Sequence, residues 1–562
     1  MKKRTSILLT GLITVGTLTP VLNVLATDQV LNDTTPKTGT VVDGDKTPGA
    51  TDDTTNNDDQ SVDQKDNGGL LDAPAIQKDT QKEKAPLVGA NISVSTPAEL
   101  AAAVSAATSD TTITLSSSFP TSIPATTELK TTSTAKVTID GGNKTLTPGG
   151  DFIMFNLRIF TGGSLTFQNI NFDDSANLSN ARALTVLDNT GTLNVDNAKF
   201  SNFSSYDDGA AIYFFGNTNI TNSTFEGNSV FGPGYSGGAL ASKSTFGSFK
   251  LSNSRFIGNH TDALGTTVGG EGGAVYMFSP KAGASIEMTN NYFEGNTAVK
   301  DATGGNVKLA DGGAVALFNV VEGNNINISG NTFNKNIAAD DGGAMLIQTN
   351  STITGGINVA NNTFVGNEAY GRDLSVNSGG AIQLYANGAL TAKQTALVNF
   401  TNNTFVGNTA KYDGGAIGGF GYGLNYSAGA YKGNIFVNNT AQKNNVADRT
   451  TNVPGAGDLG NNIGYDNGTA NTVDPVTVFG QFAPALVPNY SGIKAGTSKD
   501  AQVIPSIPVV PAKDADNKMT DVLTSVSDQR SFGRALPSDI GAIENKWVKY
   551  DSNGGTFELG AD

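Results

Sequence analysis

The sequence predicts an all-β protein, a right-handed parallel β-helix with a short N-terminal capping helix, and three observations predict it. The first is a Phe-x-x-Asn signature that occurs at Phe225–Asn228, Phe256–Asn259, Phe293–Asn296, Phe333–Asn336, Phe364–Asn367, Phe405–Asn408 and Phe436–Asn439. The second is Gly-Gly-Ala plus an apolar residue, at Gly237–Leu240, Gly272–Val275, Gly312–Val315, Gly342–Met345, Gly379–Ile382 and Gly414–Ile417. The two strictly alternate, so one of each belongs to a repeating unit, and such self-similarity marks a solenoid whose neighbouring units bury one another. The third is the uneven distance between successive Phe positions, 31, 37, 40, 31, 41 and 31 residues. A β-coil of three short strands tolerates this, because extra residues bulge from a turn. A propeller would show a more regular period, with Asn-Gly or Asp-Gly hairpins between strands.

Composition agrees. Of 562 residues 68 are Gly and 15% are charged, with no collagen triplet period, so the glycines belong at turns. The net charge of −15 argues against nucleic acid, which needs clustered Lys and Arg to release phosphate counterions. The absence of Cys excludes disulfide scaffolds and thiolate metal sites.

Residues 1–26 read as a signal peptide. Lys2, Lys3 and Arg4 form a basic start, Ile7 to Leu25 is mostly apolar and uncharged, and Val24-Leu25-Ala26 suits cleavage. The expected mature protein is therefore exported, with no transmembrane segment. Residues 27–90 are rich in Asp, Thr, Asn and Lys and lack aromatics. Such a stretch cannot bury enough apolar surface to offset its ordering entropy, so a disordered linker is expected.

The β-helix is expected over 91–544. Thr96-Pro97-Ala98-Glu99 places Pro at a first helical position, and Leu100–Ala107 gives about two turns. A helix there caps the open end of the solenoid. Thr111–Leu115 and Lys136–Ile139 follow as alternating strands. This entry, Ser95-Thr96-Pro97-Ala98-Glu99-Leu100 through Val137-Thr138-Ile139-Asp140-Gly141-Gly142, resembles the opening of pectate-lyase-like adhesive domains of Gram-positive cell-surface proteins. The resemblance implies a β-helix displayed on a cell wall, and does not imply that lyase chemistry is kept.

Each repeated residue has an architectural job. Phe225, Phe256, Phe293, Phe333, Phe364 and Phe405 point inward and stack into an aromatic column. Asn228, Asn259, Asn296, Asn336, Asn367 and Asn408 take corners, where Asn tolerates left-handed backbone and equivalent amides build a ladder. Gly238, Gly273, Gly313, Gly343, Gly380 and Gly415 belong to sharp corners that need positive φ or close backbone approach. The paired motifs from Phe200 to Asn439 resemble the repeats of chlamydial polymorphic outer-membrane proteins, which implies surface adhesion. Phe200-Ser201-Asn202-Phe203 and Asp208-Gly209-Ala210-Ala211 depart from the pattern and suggest a degenerate first unit.

Chemistry is expected where the repeat varies. Asp208, Glu271, Asp311, Asp341 and Asp413 precede the glycine corner, while Ser236 and Ser378 fill the other two places. In register these carboxylates form a column about 4.8 Å apart, repelling by roughly 3.5 kcal/mol per pair at an effective dielectric near 20. Such a column raises carboxyl pKa values or recruits Ca2+. The plainer reading is that Asp and Ser suit the residue before a Gly turn. No catalytic residue is assigned. Polysaccharide lyases and hydrolases on this fold use carboxylates with a basic residue or His. The pairs Asp207-Asp208 and Asp340-Asp341 and Arg372 are the candidates for those roles, adjacent strand residues point to opposite faces, and the lone His260 reads as a solvated turn residue. Tyr206, Tyr235, Tyr370, Tyr412, Tyr422 and Tyr426 fall in or near loops, where they either pack locally or meet sugars.

After Asn439 the pattern loosens, and Val473 to Ala512 is rich in Pro. Asp528–Arg534 and Asp539–Glu544 resemble the closing segment of bacterial surface β-helices. Trp547–Thr556 looks like the first strand of a Listeria–Bacteroides-type repeat, so 545–562 reads as the start of a further, truncated surface repeat. The expected function is a secreted, monomeric adhesion or display module on a Gram-positive surface, binding a protein or glycan. The alternative is a lyase or hydrolase of acidic polysaccharide.

Overall fold

A computed structural model describes residues 90–441, apart from 189–190, 244–245, 263–268, 300–309, 322, 350–355, 372–378, 387–396, 413 and 419–430, together with position 486 and a few short strand pairs beyond. The expected signal peptide and linker, nearly all of the Pro-rich stretch and most of the expected closing segment lie outside these residues.

The fold is all-β, a solenoid of parallel strands, as the repeat predicts. The coil that begins at Asn217 is representative, with strands Asn217–Thr221, Thr224–Glu226, Ser229–Phe231 and Leu240–Ser242. The next coil starts at Phe249. Equivalent strands pair in parallel from coil to coil and build three sheets that run along the axis, of 20, 8 and 10 strands among the described residues. The first sheet holds two strands per coil because it bends at a two-residue corner, so a coil has four strands rather than the three expected. Register is held throughout: Phe225 sits opposite Phe256, which sits opposite Phe293, and the series continues to Phe436.

That register produces the expected aromatic column, and extends it. The rings from Phe172 through Phe200, Phe225 and onward to Phe436 stack face to face with centroids 4.7–5.0 Å apart. Phe200 therefore joins the column although its own turn is irregular. Isolated aromatic pairs favour offset or edge contacts. Here the strand spacing of about 4.8 Å fixes the ring separation, and the column fills the core at that repeat.

The asparagines form the expected ladder, with one correction. The Nδ2 of Asn259 donates to Oδ1 of Asn296 (2.9 Å) and to the Phe225 carbonyl (3.0 Å), while its Oδ1 accepts from the Nδ2 and backbone N–H of Asn228. The pattern repeats through Asn439. Every polar valence of a fully buried amide is thus used. The left-handed residue is the one before it: Gly258 (φ 61°), Gly295 (φ 60°), Lys335 (φ 53°) or Asn438 (φ 56°). The ladder begins at Asn228 because Phe203 holds the equivalent place one coil below, its N–H donating to Asn228 Oδ1.

A second ladder escaped the sequence reading. Asn291, Asn331, Asn362, Asn403 and Asn434 link amide to amide at 2.9–3.0 Å along the bend of the first sheet. Its signal was Asn two residues before the Phe in five consecutive units.

The Gly-Gly pair divides two tasks. The first glycine, such as Gly312 (φ 66°), takes the left-handed turn. The second approaches backbone: a Cβ on Gly313 would lie 2.1 Å from the Gly343 carbonyl oxygen. In the first unit Ala210 replaces that second glycine, in register. Arg182, itself buried, supports this corner by donating to the carbonyls of Gly209 (2.8 Å) and Asp208 (2.6 Å).

The N-terminal helix spans Pro97–Ala106, capped by Thr96, whose Oγ1 accepts from the Glu99 N–H (3.1 Å). Glu99 accepts in turn from the Ser95 N–H at 2.7 Å, one residue before the N-cap that a capping box would use. Leu100 and Val104 bury into the end of the core. The strand expected to stop at Ile139 runs from Lys136 to Pro148, turning through Gly142 and Asn143, both left-handed. The described coils reach Ala441. Beyond them Met519–Thr520 pairs with Ser538–Asp539, and Val548–Tyr550 with Phe557–Leu559, each antiparallel.

Candidate functional site: the carboxylate column beside the Gly-Gly corner

The residues before the glycine corner do stack one per coil. The N–H of Gly237 donates to the Glu271 carbonyl (2.9 Å), Gly272 to Asp311 (2.8 Å) and Gly312 to Asp341 (2.8 Å), and Gly209 to Ser236 (3.0 Å). The order along the edge is Asp208, Ser236, Glu271, Asp311, Asp341. Asp413 and Ser378 lie outside the described residues.

The lower half is neutralised by protein groups. Asp208 is buried, accepts from the Ser236 N–H at 2.8 Å, and pairs with Lys243, whose Nζ is 3.2 Å away. Burial pushes its carboxyl up, an effect that Lys243 and the Ser236 N–H oppose. Ser236 separates Asp208 from Glu271 and accepts from the Glu271 N–H through its Oγ (3.1 Å). Burial, and then the neighbouring Asp311, push the Glu271 carboxyl well up, against the pull of Lys243 and a hydrogen bond from Tyr276. Burial and Glu271 in turn push the Tyr276 phenol up. A basic residue therefore does sit beside two carboxylates of the column, a feature that the sequence reading had not located.

The upper half is a triangle. Carboxylate oxygens of Asp311, Asp340 and Asp341 all lie within 4.8 Å of one another, and the Asp341 N–H donates to Asp311 Oδ1 (3.0 Å). Two oxygens each about 2.4 Å from a shared Ca2+ are separated by at most about 4.8 Å, so this spacing is compatible with the ion. Three carboxylates fall short of its six to eight oxygens. Asp340 and Asp341 converge despite being adjacent, because they lie at a corner rather than along a strand.

The remaining candidates disperse. Asp207 is exposed and pairs with the buried Arg182 at 3.3 Å. His260 lies in a strand, His260–Asp262, not a turn, with its ring edge-on to Phe231 at 6.1 Å. Arg372, Tyr422 and Tyr426 lie outside the described residues. Tyr206 and Tyr370 are exposed, whereas Tyr235 and Tyr412 are partly buried. Comparison with family models and with curated proteins finds no match to this chain. Among the described residues no helix is long and apolar enough to cross a membrane.

Proposed function

We propose that the protein is a secreted adhesion or display module of a bacterial cell surface, whose ligand is held by the connections on either side of the Gly-Gly-Ala sheet. One observation carries this reading. From the coil of Asn217 onward both corners of the first sheet keep a constant two residues, as at Asn222-Ser223 and Gly227-Asn228. The connections flanking the third sheet differ from coil to coil. Ala338 to Gly342 is short and Ala298 to Gly312 long, while Val320 to Asn325 is short and Ala386 to Leu397 long. A scaffold that confines its variation to two neighbouring edges concentrates recognition there, since connections accept change at little cost to the core. The repeated residues are interior and serve stability.

A second reading, a lyase or hydrolase of acidic polysaccharide, has Lys243 beside Asp208 and Glu271 in its favour. Those groups are engaged with one another and with the Gly234 carbonyl, 3.1 Å from Lys243 Nζ, which favours a structural role. The full chain applied to arrayed glycans and extracellular-matrix proteins, with reducing ends and unsaturated products assayed in parallel, separates the two. Binding without turnover is expected; product release that is lost in Lys243→Met would overturn the display reading.

A further inference from the structure

The second sheet carries a groove that the carboxylate column does not touch. Strands Glu368–Ala369, Thr409–Ala410 and Thr440–Ala441 lie side by side in register, so Glu368, Thr409 and Thr440 form one row and three alanines form the next. A cavity of about 440 Å³ opens on these strands and on the two residues that follow the first two, Tyr370 and Lys411. The volume falls among those of small-molecule sites.

Its lining is mixed in a particular way. Ala369, Ala410 and Ala441 are almost fully buried, so the row they form is narrow and has no bulk to fill the groove. Tyr370 is 42% exposed, one of three large hydrophobic side chains exposed among the described residues. Its position along the sheet matters. The equivalent residues lower down are Tyr206 and Phe231, whose rings pack against each other at 6.2 Å. Tyr370 instead has Ala339 below it and Lys411 above, at the places that follow Ala338 and Ala410, so among the described residues neither neighbour along the sheet sets an aromatic ring against it. Around it stand a carboxylate, an ammonium group and two hydroxyls. Burial, and then Glu368, push the Tyr370 phenol up, as a carboxylate close to the ring requires.

We propose that this groove binds a pyranose ring of a glycan. The C–H face of a sugar suits an uncovered aromatic ring, and its ring of hydroxyls needs donors and acceptors of the Thr, Glu and Lys kinds. An apolar ligand would desolvate Glu368 and Lys411 while offering neither a polar contact, and the Tyr412 ring 5.2 Å from the Lys411 ammonium offsets only part of that cost. A nucleic acid would meet Glu368 and a chain of net charge −15. This proposal rests on the adhesion reading and names the ligand class and the site, on a sheet edge adjoining one of the variable connections.

The test uses the full secreted chain and two probes, cellohexaose for neutral rings and a hexameric oligogalacturonate for rings with a carboxylate, titrated by calorimetry and by saturation-transfer NMR. Binding of at least one probe is expected. Tyr370→Ala is expected to weaken it about tenfold or more, and Thr409→Arg, which fills the groove from a strand's outer face, to abolish it. Glu287→Gln, on the outer face of the first sheet where it pairs with Lys250, is expected to leave it unchanged. Unchanged melting midpoints would show that the two groove variants fold. Wild-type affinity in both groove variants, or no binding of either probe, overturns the proposal. Attachment of the protein to cells or matrix that persists in Tyr370→Ala leaves the adhesion reading standing and the groove assignment refuted. Loss of attachment by the wild type itself refutes both.

Discussion

At the scale of single residues, stability is concentrated in side chains that never reach solvent. Asn336 shows why. Its Oδ1 accepts from Asn296 twice, and its Nδ2 donates to Asn367 and to the Phe293 carbonyl. Asn336→Ala strands several buried polar groups at once, each costing about 1–3 kcal/mol, so a loss of roughly 3 kcal/mol or more is expected in denaturant unfolding. Asn336→Asp sets a carboxylate oxygen against two acceptors and is expected to be worse at pH 7 than at pH 4. The glycines divide in the same measurable way. Gly313→Ala places a methyl 2.1 Å from the Gly343 carbonyl oxygen, a backbone clash expected to cost about 3 kcal/mol or more. Gly258→Ala has open space around its Cβ at φ 61° and should cost only about 1–2 kcal/mol, the penalty of left-handed backbone. Equal losses at the two sites would refute this division.

At the scale of elements, the two kinds of connection should respond differently to insertion. Two added residues after Lys335 displace Asn336 from its ladder and push Ile337–Ala338 out of register with the strands on either side. A register slip is costly wherever one face is buried, so such an insertion is expected to abolish cooperative melting of the upper coils. The same two residues placed between Lys243 and Phe249 lengthen a connection that already varies between coils, for an added loop-closure cost of a few tenths of a kcal/mol. Circular dichroism with thermal melting distinguishes the outcomes, and equal sensitivity would count against assigning recognition to the variable edges.

At the scale of the whole molecule, the uneven titration of buried acids sets a direction for pH dependence. Burial pushes Asp174 up to about 6, against a hydrogen bond from the Leu178 N–H, and pushes Asp208 and Glu271 up as well. Each binds its proton more tightly folded than unfolded, where carboxyls titrate near 4. Their contribution to stability is thus fully present below about pH 4 and is lost as pH rises through the folded values. The melting midpoint is expected to rise on acidification from pH 7 toward pH 5, reinforced by relief of the −15 net charge. Asp174→Asn keeps an acceptor for the Leu178 N–H and should flatten the part of this slope between about pH 4 and 6. An unchanged slope would remove Asp174 as its source. High salt should suppress the net-charge component more than the buried one.

The sequence by itself determined the fold class, the capping helix, the aromatic column and one asparagine ladder. All of these depend on residues that recur because neighbouring coils repeat the same geometry, and a recurring environment leaves a recurring letter. Phe225 and Gly313 could be read in that way without coordinates. The second ladder was equally periodic, yet Asn291 and its successors were hidden behind the stronger Phe signal. Only the tertiary structure decided which irregular residues meet. Lys243 reaches Asp208 and nears Glu271, Asp340 swings into the triangle with Asp311 and Asp341, and Tyr370 finds Ala339 beneath it rather than another ring. Those meetings join residues one coil apart across connections of unequal length, so no fixed spacing in the chain encodes them. Packing between coils, not periodicity along the chain, sets where the variable side chains converge.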